Sequence, residues 1–166
     1  MARLVLVGLP GVGKTSVAQA LAQRWDCGAI DTDDVIALAV GSTAAQYLRS
    51  EGEPAFRQRE TEALVAALAA DAVVSTGGGI VTTARARELL GEQLTLWLDC
   101  DDETILPRLV EIDRPLLGDD PTGALARLRR ERDHWYRDVS RARIDASGTL
   151  DEVVQLVIDA VAGVAS

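Results

Sequence analysis

One segment of the chain has the residue types and spacing of a phosphate-binding loop: residues 8–15, with the sequence GLPGVGKT. Its glycines let successive backbone N–H groups turn inward around a polyphosphate, and the N-terminus of a following helix adds partial positive charge. The lysine supplies a point charge to the β- and γ-phosphates, and the threonine hydroxyl is an oxygen ligand suited to Mg²⁺. A chance glycine-rich turn is less favoured, because an apolar run precedes the segment and a helical pattern follows it. The predicted nucleotide-binding residues are Gly11, Val12, Gly13, Lys14, Thr15 and Ser16.

Two carboxylates follow the second predicted strand, in the pattern Asp31-x-Asp33. One of them is suited to a magnesium shell, and the other is suited to accept the proton of an attacking hydroxyl. The alternative is a helix N-cap, a position at which aspartate is favoured. Residue type alone leaves these two interpretations equal, with Asp34 the more favoured plain cap.

Three consecutive glycines, Gly77, Gly78 and Gly79, follow the third predicted strand. They offer bare N–H groups and allow a ligand to approach the backbone closely, although on its own such a run more often forms a tight turn. Scattered arginines add candidate anion ligands, since the arginine fork binds carboxylates and phosphates in a bidentate manner. The candidates are Arg57, Arg114 and Arg132, whereas Arg127, Arg129 and Arg130 are expected to be solvated surface charges.

Strands and helices alternate along the chain, which predicts an α/β domain with a parallel sheet covered on both faces. The strands are predicted over residues 4–7, 27–30, 71–76, 94–98 and 142–145. In such sheets ligands bind at the carboxyl ends of the strands, where the phosphate-binding loop, the aspartates and the three glycines all fall. A helix is predicted over residues 101–110 in spite of Pro107, and a loop over residues 111–121. No linker or repeat divides the chain, so residues 1–166 are predicted to form one domain.

The composition excludes several classes of function. A net charge of −9 over 166 residues argues against general binding to nucleic acid or to an anionic membrane, although it leaves room for a local basic pocket. We expect a cytoplasmic protein, because no apolar run reaches the length of a membrane span and the first strand leaves no room for a signal peptide. Cys27 and Cys100 are expected to be reduced thiols, and the presence of a single histidine, His134, argues against a structural zinc site.

In their order along the chain, these motifs resemble those of the shikimate kinase family. The further segments that carry the resemblance are GEPAFRQRE at residues 52–60, RPLL at residues 114–117 and the pattern Arg132-x-x-x-Tyr136. The resemblance extends from Leu4 to about Ala160. It implies the three-layer P-loop kinase fold, a five-stranded parallel sheet in the order 2-3-1-4-5 flanked by helices, with a mobile lid over about residues 111–121. It also implies transfer of the γ-phosphoryl group of ATP to the 3-hydroxyl of shikimate, with Mg²⁺, in chorismate and aromatic amino acid biosynthesis.

The resemblance also implies a role for each matching residue. Asp33 would bind the shikimate hydroxyls and take the proton, and Asp31 would belong to the magnesium shell beside Thr15. The substrate-binding region would span about residues 31–60, with Glu60 orienting Arg57. Arg57 and Arg132 would clamp the substrate carboxylate, and the backbone of Gly77, Gly78 and Gly79 would lie against the shikimate ring. Arg114 would be a catalytic arginine of the lid, acting together with Lys14. Arg108 would contact the adenine. The implied assembly is a monomer.

The sequence departs from the family pattern at His134 and Trp135, where a Pro-Leu pair is usual. Two other functions stay open: a related small-molecule kinase, for instance of the gluconate type, and a nucleotide-binding module without turnover. The pair of Arg57 and Arg132 favours a carboxylated ring as acceptor over a nucleoside. The presence of Asp33 argues against a module that merely binds nucleotide, because such a module has no evident use for it.

Overall fold

The computed structural model describes residues 1–110 and 118–164. Their strands form one parallel sheet whose order, β2-β3-β1-β4-β5, is the predicted one. The strands are β1 (Leu4–Val7), β2 (Gly28–Asp31), β3 (Ala72–Ser75), β4 (Thr95–Asp99) and β5 (Ala142–Asp145). Every residue of β1, β3 and β4 is buried, whereas the edge strands β2 and β5 expose several residues. Continuous apolar strands thus lie in the centre of the sheet, as expected when helices cover both faces.

Eight α-helices and one 3-10 turn accompany these strands within the described ranges, and the last helix follows the last strand. The helices are α1 (Lys14–Trp25), α2 (Thr32–Val40), α3 (Ala44–Glu51), α4 (Glu53–Leu68), α5 (Ala84–Gly91), α6 (Asp102–Val110), α7 (Pro121–Val139) and α8 (Leu150–Val164). The 3-10 turn comprises Ile80–Thr82. Helices α1 and α8 pack on one face of the sheet, and α4, α5 and α7 pack on the other, which gives three layers.

A second, smaller apolar cluster lies outside the main core. It joins α2 to α4 through Ile36, Phe56 and Ala63, all of which are buried, and α3 packs against it. The cluster holds α2 against α4, and these two helices carry Asp33 and Arg57. A separate small core therefore sets the spacing of two predicted site residues.

One sequence-based expectation about local structure is wrong, because the cap of helix α2 is Asp31 and not Asp34. Helix α2 begins at Thr32, and Asp31 caps it by accepting a 2.9 Å hydrogen bond from the backbone N–H of Asp33. Asp34, the expected cap, is an exposed residue of the first helical turn. Helix α6 continues through Pro107 to Val110, as the sequence pattern predicts.

Arg129 is not the solvated surface charge that the sequence suggested. Its guanidinium donates to Asp99 Oδ1 at 2.9 Å, to Asp102 Oδ1 at 2.6 Å and to the carbonyl oxygen of Cys100 at 2.6 Å. Asp99 also accepts from Arg143, at 2.7 Å and 2.9 Å. Arg129 therefore ties α7 to the end of β4 and to the start of α6.

Most of the predicted lid, residues 111–121, lies outside the described residues, and Arg114 lies outside them too. The described end of that segment, residues 118–120, is a turn, after which Asp120 caps α7 by accepting from the backbone N–H of Gly123 at 3.0 Å. Across residues 1–110 and 118–164, no helix combines the length and the apolar character needed to cross a membrane.

Candidate active site

The phosphate-binding loop, residues 8–15, joins β1 to α1 in a conformation that depends on glycine. Gly8, Gly11 and Gly13 have φ angles of 147°, 80° and 101°, values that residues other than glycine rarely adopt. A β-carbon at Gly8 would also overlap the carbonyl oxygen of Leu98 on the neighbouring strand β4. The loop is therefore shaped both by its own backbone and by the close approach of β4.

Lys14 is almost fully buried, with 7% of the residue exposed, and it lies across the loop. Its Nζ donates to the carbonyl oxygens of Gly8 at 2.8 Å and of Leu9 at 2.9 Å. These bonds hold the ammonium group over the loop at the N-terminus of α1, where anions are favoured. The loop thus presents a fixed positive charge to a phosphate group.

Three oxygen-bearing side chains converge beside the loop. Thr15 Oγ1 donates to Asp31 Oδ2 at 2.6 Å and lies 3.3 Å from Ser75 Oγ, which itself donates to Asp31 Oδ2 at 3.2 Å. Asp31 therefore caps α2 with one carboxylate oxygen and accepts from Thr15 with the other, so capping does not occupy the whole carboxylate. No sequence pattern had singled out Ser75.

These oxygens suit Mg²⁺ better than a metal that needs a full set of protein ligands. In the part of the chain that the structure describes, no group of three or more histidine, cysteine or acidic residues is placed to hold a metal. Mg²⁺ prefers hard oxygen ligands, keeps several waters, and is commonly held by one or two carboxylates together with substrate phosphates. One carboxylate and two hydroxyls next to a phosphate-binding loop fit that pattern.

Asp33 lies between the phosphate-binding loop and residues 77–79, which we call the glycine turn. Its side chain lines the same cleft as Lys14. A β-carbon at Gly77 would lie 3.0 Å from Asp33 Oδ1 and 2.7 Å from Glu60 Oε1, so the absence of a side chain there admits both carboxylates. The backbone N–H of Gly77 donates to Thr32 Oγ1 at 3.0 Å, which fastens the turn to the start of α2.

Arg57 lies at the far side of the glycine turn, where two acids of α4 hold it. It forms an ion pair with Glu60, one turn along the helix, and another with Glu53 at 3.0 Å. Burial alone lowers the pKa of the Arg57 guanidinium, but the charges of Glu60 and Glu53 outweigh burial and raise it. A β-carbon at Gly79 would overlap this guanidinium, so Arg57 lies directly against the glycine turn.

Arg132 and Tyr136 bring α7 to the same turn. Tyr136 is fully buried, and its hydroxyl donates to the carbonyl oxygen of Gly78. Burial raises the pKa of this hydroxyl above its ordinary range, so the group stays a neutral donor. Arg132 is 4% exposed, and among the described residues its Nε has no hydrogen-bond partner.

A cleft of about 410 Å³ runs along the loop and ends at the aspartates. Arg108 lines it and donates to the carbonyl oxygen of Gly11 at 3.3 Å, so this residue lies beside the phosphate-binding loop. Another wall comes from the segment that follows β5 and from the first turn of α8, neither of which the sequence singled out. That wall comprises Ala146, Gly148, Leu150 and Val153, apolar or small residues that carry no chemical signal.

The structure thus brings the predicted site residues into two adjoining groups. The residues of the loop, together with Asp31, Asp33 and Arg108, line the cleft. Next to it, Arg57 lies against the glycine turn and Tyr136 donates to that turn, while Arg132 lies near Glu60 and Tyr136. Asp33 lines the cleft and borders Gly77, so it lies between the two groups. Such an arrangement separates a site for a polyphosphate from a site for a smaller acidic molecule, with a carboxylate between them.

Comparison with known proteins identifies the family. A sequence model of the family described as shikimate kinase matches residues 10–162. The chain belongs to the shikimate kinase family. A shikimate kinase from Streptomyces coelicolor is 41% identical over 161 residues, which are 95% of this chain and 94% of that relative. Membership makes the chain a kinase with ATP as phosphoryl donor.

Solved structures agree with the architecture. The structure of shikimate kinase from Acinetobacter baumannii in complex with shikimate matches with a TM-score of 0.85 at 33% identity, covering 94% of this chain and 92% of that chain. A gluconokinase from Sinorhizobium meliloti reaches a TM-score of 0.57 at 17% identity, over 97% of this chain and 91% of that one, which is a likeness in fold alone. The predicted family and the predicted three-layer fold are both confirmed.

Proposed function

We propose that this chain transfers the γ-phosphoryl group of ATP to the 3-hydroxyl of shikimate, giving ADP and shikimate 3-phosphate. The observation that carries the proposal is the position of Asp33, which lines the cleft with Lys14 and borders the glycine turn. One carboxylate thus faces both the phosphate side and the acceptor side of the site. Membership of the shikimate kinase family supports shikimate as the acceptor. The product would enter chorismate and aromatic amino acid biosynthesis.

On the donor side, the loop binds and orients the polyphosphate. Backbone N–H groups at the start of α1 face the phosphates, and Lys14 exchanges its bonds to two loop carbonyls for bonds to phosphate oxygens. Phosphoryl transfer depends chiefly on alignment and on neutralising charge, which these groups supply. Arg108 and the wall formed by the β5–α8 segment would contact the nucleotide farther from the reacting phosphate.

Thr15 and Asp31 are the residues we assign to Mg²⁺, with Ser75 beside them. When bound with the nucleotide, the ion supplies Lewis-acid neutralisation of phosphate charge. Asp31 is oriented for this role by the hydrogen bond between its other oxygen and the N–H of Asp33. Thr15 lies in the first turn of α1 and is fixed by the same helix that positions the loop.

On the acceptor side, each end of shikimate would meet groups of matching chemistry. Asp33 accepts the proton of the attacking hydroxyl, as a carboxylate can when it lies within hydrogen-bond reach. Arg57 and Arg132 clamp the ring carboxylate, and the glycine turn offers its backbone to the ring. Glu60 keeps Arg57 aimed at the turn through a buried ion pair. Arg114, which lies outside the described residues, keeps the lid role that its sequence motif predicts.

The other proposed functions make different demands on the site. A gluconate-type acceptor also carries a carboxylate, and the fold admits it, but membership of the shikimate kinase family favours the cyclic acid. A non-catalytic module would leave Asp33 without a task. We further propose that the protein is cytoplasmic, and that it is monomeric, as the family resemblance implies. Light scattering in solution tests the monomer.

The experiment that tests this function is a coupled assay of ADP release with ATP and Mg²⁺. The protein is given shikimate, gluconate or AMP in separate reactions, and a reaction without acceptor measures background hydrolysis. We expect ADP release above background only with shikimate, and shikimate 3-phosphate as the product by mass spectrometry. ADP release with gluconate or AMP instead would show that the acceptor site binds another substrate. No ADP release above background with any of the three would favour the non-catalytic module.

A further inference from the structure

The guanidinium of Arg87 lies between an indole ring and a backbone carbonyl oxygen. Its Cζ is 4.6 Å from the ring centroid of Trp135, and its Nη1 donates to the carbonyl oxygen of Val81 at 2.6 Å. A cation over the face of tryptophan is the most favourable form of this contact. Because Arg87 and Trp135 are both partly buried, water weakens the attraction less than it would on an open surface.

These contacts join three elements that surround the glycine turn. Arg87 belongs to α5, Val81 to the 3-10 turn that follows residues 77–79, and Trp135 to α7. The 3-10 turn is itself bonded back to the glycines: the N–H of Ile80 donates to the carbonyl of Gly77 at 3.1 Å, and Thr82 Oγ1 donates to that of Gly79 at 2.7 Å. A displacement of Val81 is therefore passed on to the backbone of the glycine turn.

Helix α7 is attached to this region at two consecutive residues. Trp135 contacts Arg87, and the hydroxyl of Tyr136 donates to the carbonyl oxygen of Gly78. Consecutive helical side chains point about 100° apart, so two such contacts together fix the rotation of the helix about its axis. Arg132 lies on the preceding turn of α7, and the rotation of the helix determines where its guanidinium points.

We propose that Trp135 and Arg87 form a positioning pair that fixes helix α7, and with it Arg132, against the glycine turn. The effect of the pair on substrate binding rests on the proposed function, in which Arg132 holds the substrate carboxylate. Trp135 stands where the family pattern usually has leucine, and a leucine side chain offers no π-face to a guanidinium. The departure in sequence noted above thus supplies a contact that an aliphatic residue does not make.

The pair acts through Arg132 and touches no reacting atom, so its loss should change substrate binding more than the chemical step. A contact of this kind shifts an equilibrium by roughly two- to thirtyfold, and affinity falls with the fraction of molecules in the binding-competent arrangement. We expect Trp135→Leu and Arg87→Ala each to raise the KM for shikimate by roughly three- to tenfold. The KM for ATP and kcat should stay within about twofold of the parent values.

Three further variants make the test specific. Trp135→Phe keeps an aromatic face and should hold the KM for shikimate near the parent value. Arg85→Ala is the matched control, because Arg85 lies on the same helix, is exposed and pairs with Glu88 at 2.9 Å. The double variant, Trp135→Leu with Arg87→Ala, should raise KM no more than either single change, because each single change already removes the shared contact. If the increases in KM for shikimate added up in the double variant, or if KM were unchanged in both single variants, the proposed positioning pair would be contradicted.

A second readout separates this inference from the proposed function. Acrylamide quenching of tryptophan fluorescence needs no substrate, and Arg87→Ala should increase quenching relative to the parent, whereas Arg85→Ala should not. If the parent enzyme does not phosphorylate shikimate but this difference is present, the proposed function fails and the contact stands. If the parent turns over shikimate and Arg87→Ala changes neither quenching nor KM, the function stands and the positioning pair is overturned.

Discussion

The guanidinium of Arg57 lies where a β-carbon on Gly79 would stand. Gly79 has a φ of −89°, a value that any residue adopts, so its backbone conformation does not require glycine. Glycine is required because the Arg57 side chain occupies the space of a β-carbon. Glu60 and Glu53 hold the guanidinium in that place. The glycine turn is therefore complementary to a side chain of α4 that we assign to substrate binding.

Gly79→Ala should impair substrate binding more than folding. The new methyl group would push the end of the Arg57 side chain away and weaken its bond to Glu60, since the flexible arginine yields more easily than backbone. We expect the KM for shikimate to rise roughly tenfold or more, in line with the loss of a hydrogen bond to a charged group. Steady-state kinetics and urea unfolding of the same variant measure the two effects.

Gly8→Ala is the matched comparison for this change. A β-carbon at Gly8 would meet a backbone atom, the carbonyl oxygen of Leu98, and the φ of 147° adds strain. We expect that variant to lose about 2 kcal/mol or more of unfolding free energy. If Gly79→Ala destabilised the fold as much as Gly8→Ala and left KM unchanged, the assignment of Arg57 to the substrate would be contradicted.

Glu60→Gln should weaken both stability and substrate binding. The Glu60 side chain is 2% exposed, and although burial raises the pKa of its carboxyl, the charge of Arg57 opposes that rise. Replacing the carboxylate by an amide of similar size leaves the buried guanidinium with Glu53 as its remaining acidic partner. We expect a loss of about 2 kcal/mol in unfolding free energy together with a higher KM for shikimate.

Glu62→Gln provides the control on the same helix. Glu62 pairs with Arg59 at 2.8 Å, but both side chains are about half exposed, so solvent screens their attraction. Urea unfolding should not distinguish this variant from the parent. Equal effects of the two substitutions would show that the buried pair has no special part in holding Arg57.

Asp33→Asn should slow the chemical step. The amide keeps the shape of the side chain but accepts a proton far less readily, so we expect kcat to fall by roughly 10²- to 10⁴-fold while the KM for ATP changes little. Asp34→Asn changes the adjacent, exposed aspartate and should leave kcat near the parent value. A kcat for Asp33→Asn within about threefold of the parent would remove Asp33 from the proton-accepting role.

What the sequence could predict depended on whether a feature was local. The phosphate-binding loop and the alternation of strands with helices follow from short patterns of glycine, apolar and charged residues, whereas the strand order was implied by the family resemblance. All three are found in the structure. The role of Asp31 was harder to predict, because one carboxylate can cap a helix with one oxygen and face a hydroxyl with the other. Residue type treats these as alternatives, whereas the geometry allows both.

Features that depend on distant partners were not predictable. Arg129 resembles its neighbours Arg127 and Arg130 in sequence, and it becomes partly buried only because Asp99, thirty residues earlier, ends a strand beneath α7. The apolar wall of the cleft around Leu150 carries no chemical signature either. Such residues acquire their roles through packing, which a single sequence does not display.

The thiol of Cys100 should resist alkylation in the folded protein. Cys100 is 4% exposed, and burial raises the pKa of its thiol to about 11, an effect that Arg108 opposes and Asp99 reinforces. Because the thiolate is the reactive form, we expect a Cys27→Ser variant to react slowly with iodoacetamide at pH 8 and quickly after unfolding in urea. Mass spectrometry measures the modified fraction, and Cys100→Ser reports Cys27 separately.

The same shift gives a dependence of stability on pH. The folded pKa lies above the ordinary value of 9.0, so the fold favours the protonated thiol. The contribution of Cys100 to stability is therefore fully present below pH 9.0 and is lost as the pH rises toward about 11. The difference in unfolding free energy between the parent and Cys100→Ala should shrink over that interval. A constant difference, or equal alkylation of native and unfolded protein at pH 8, would show that burial does not protect this thiol.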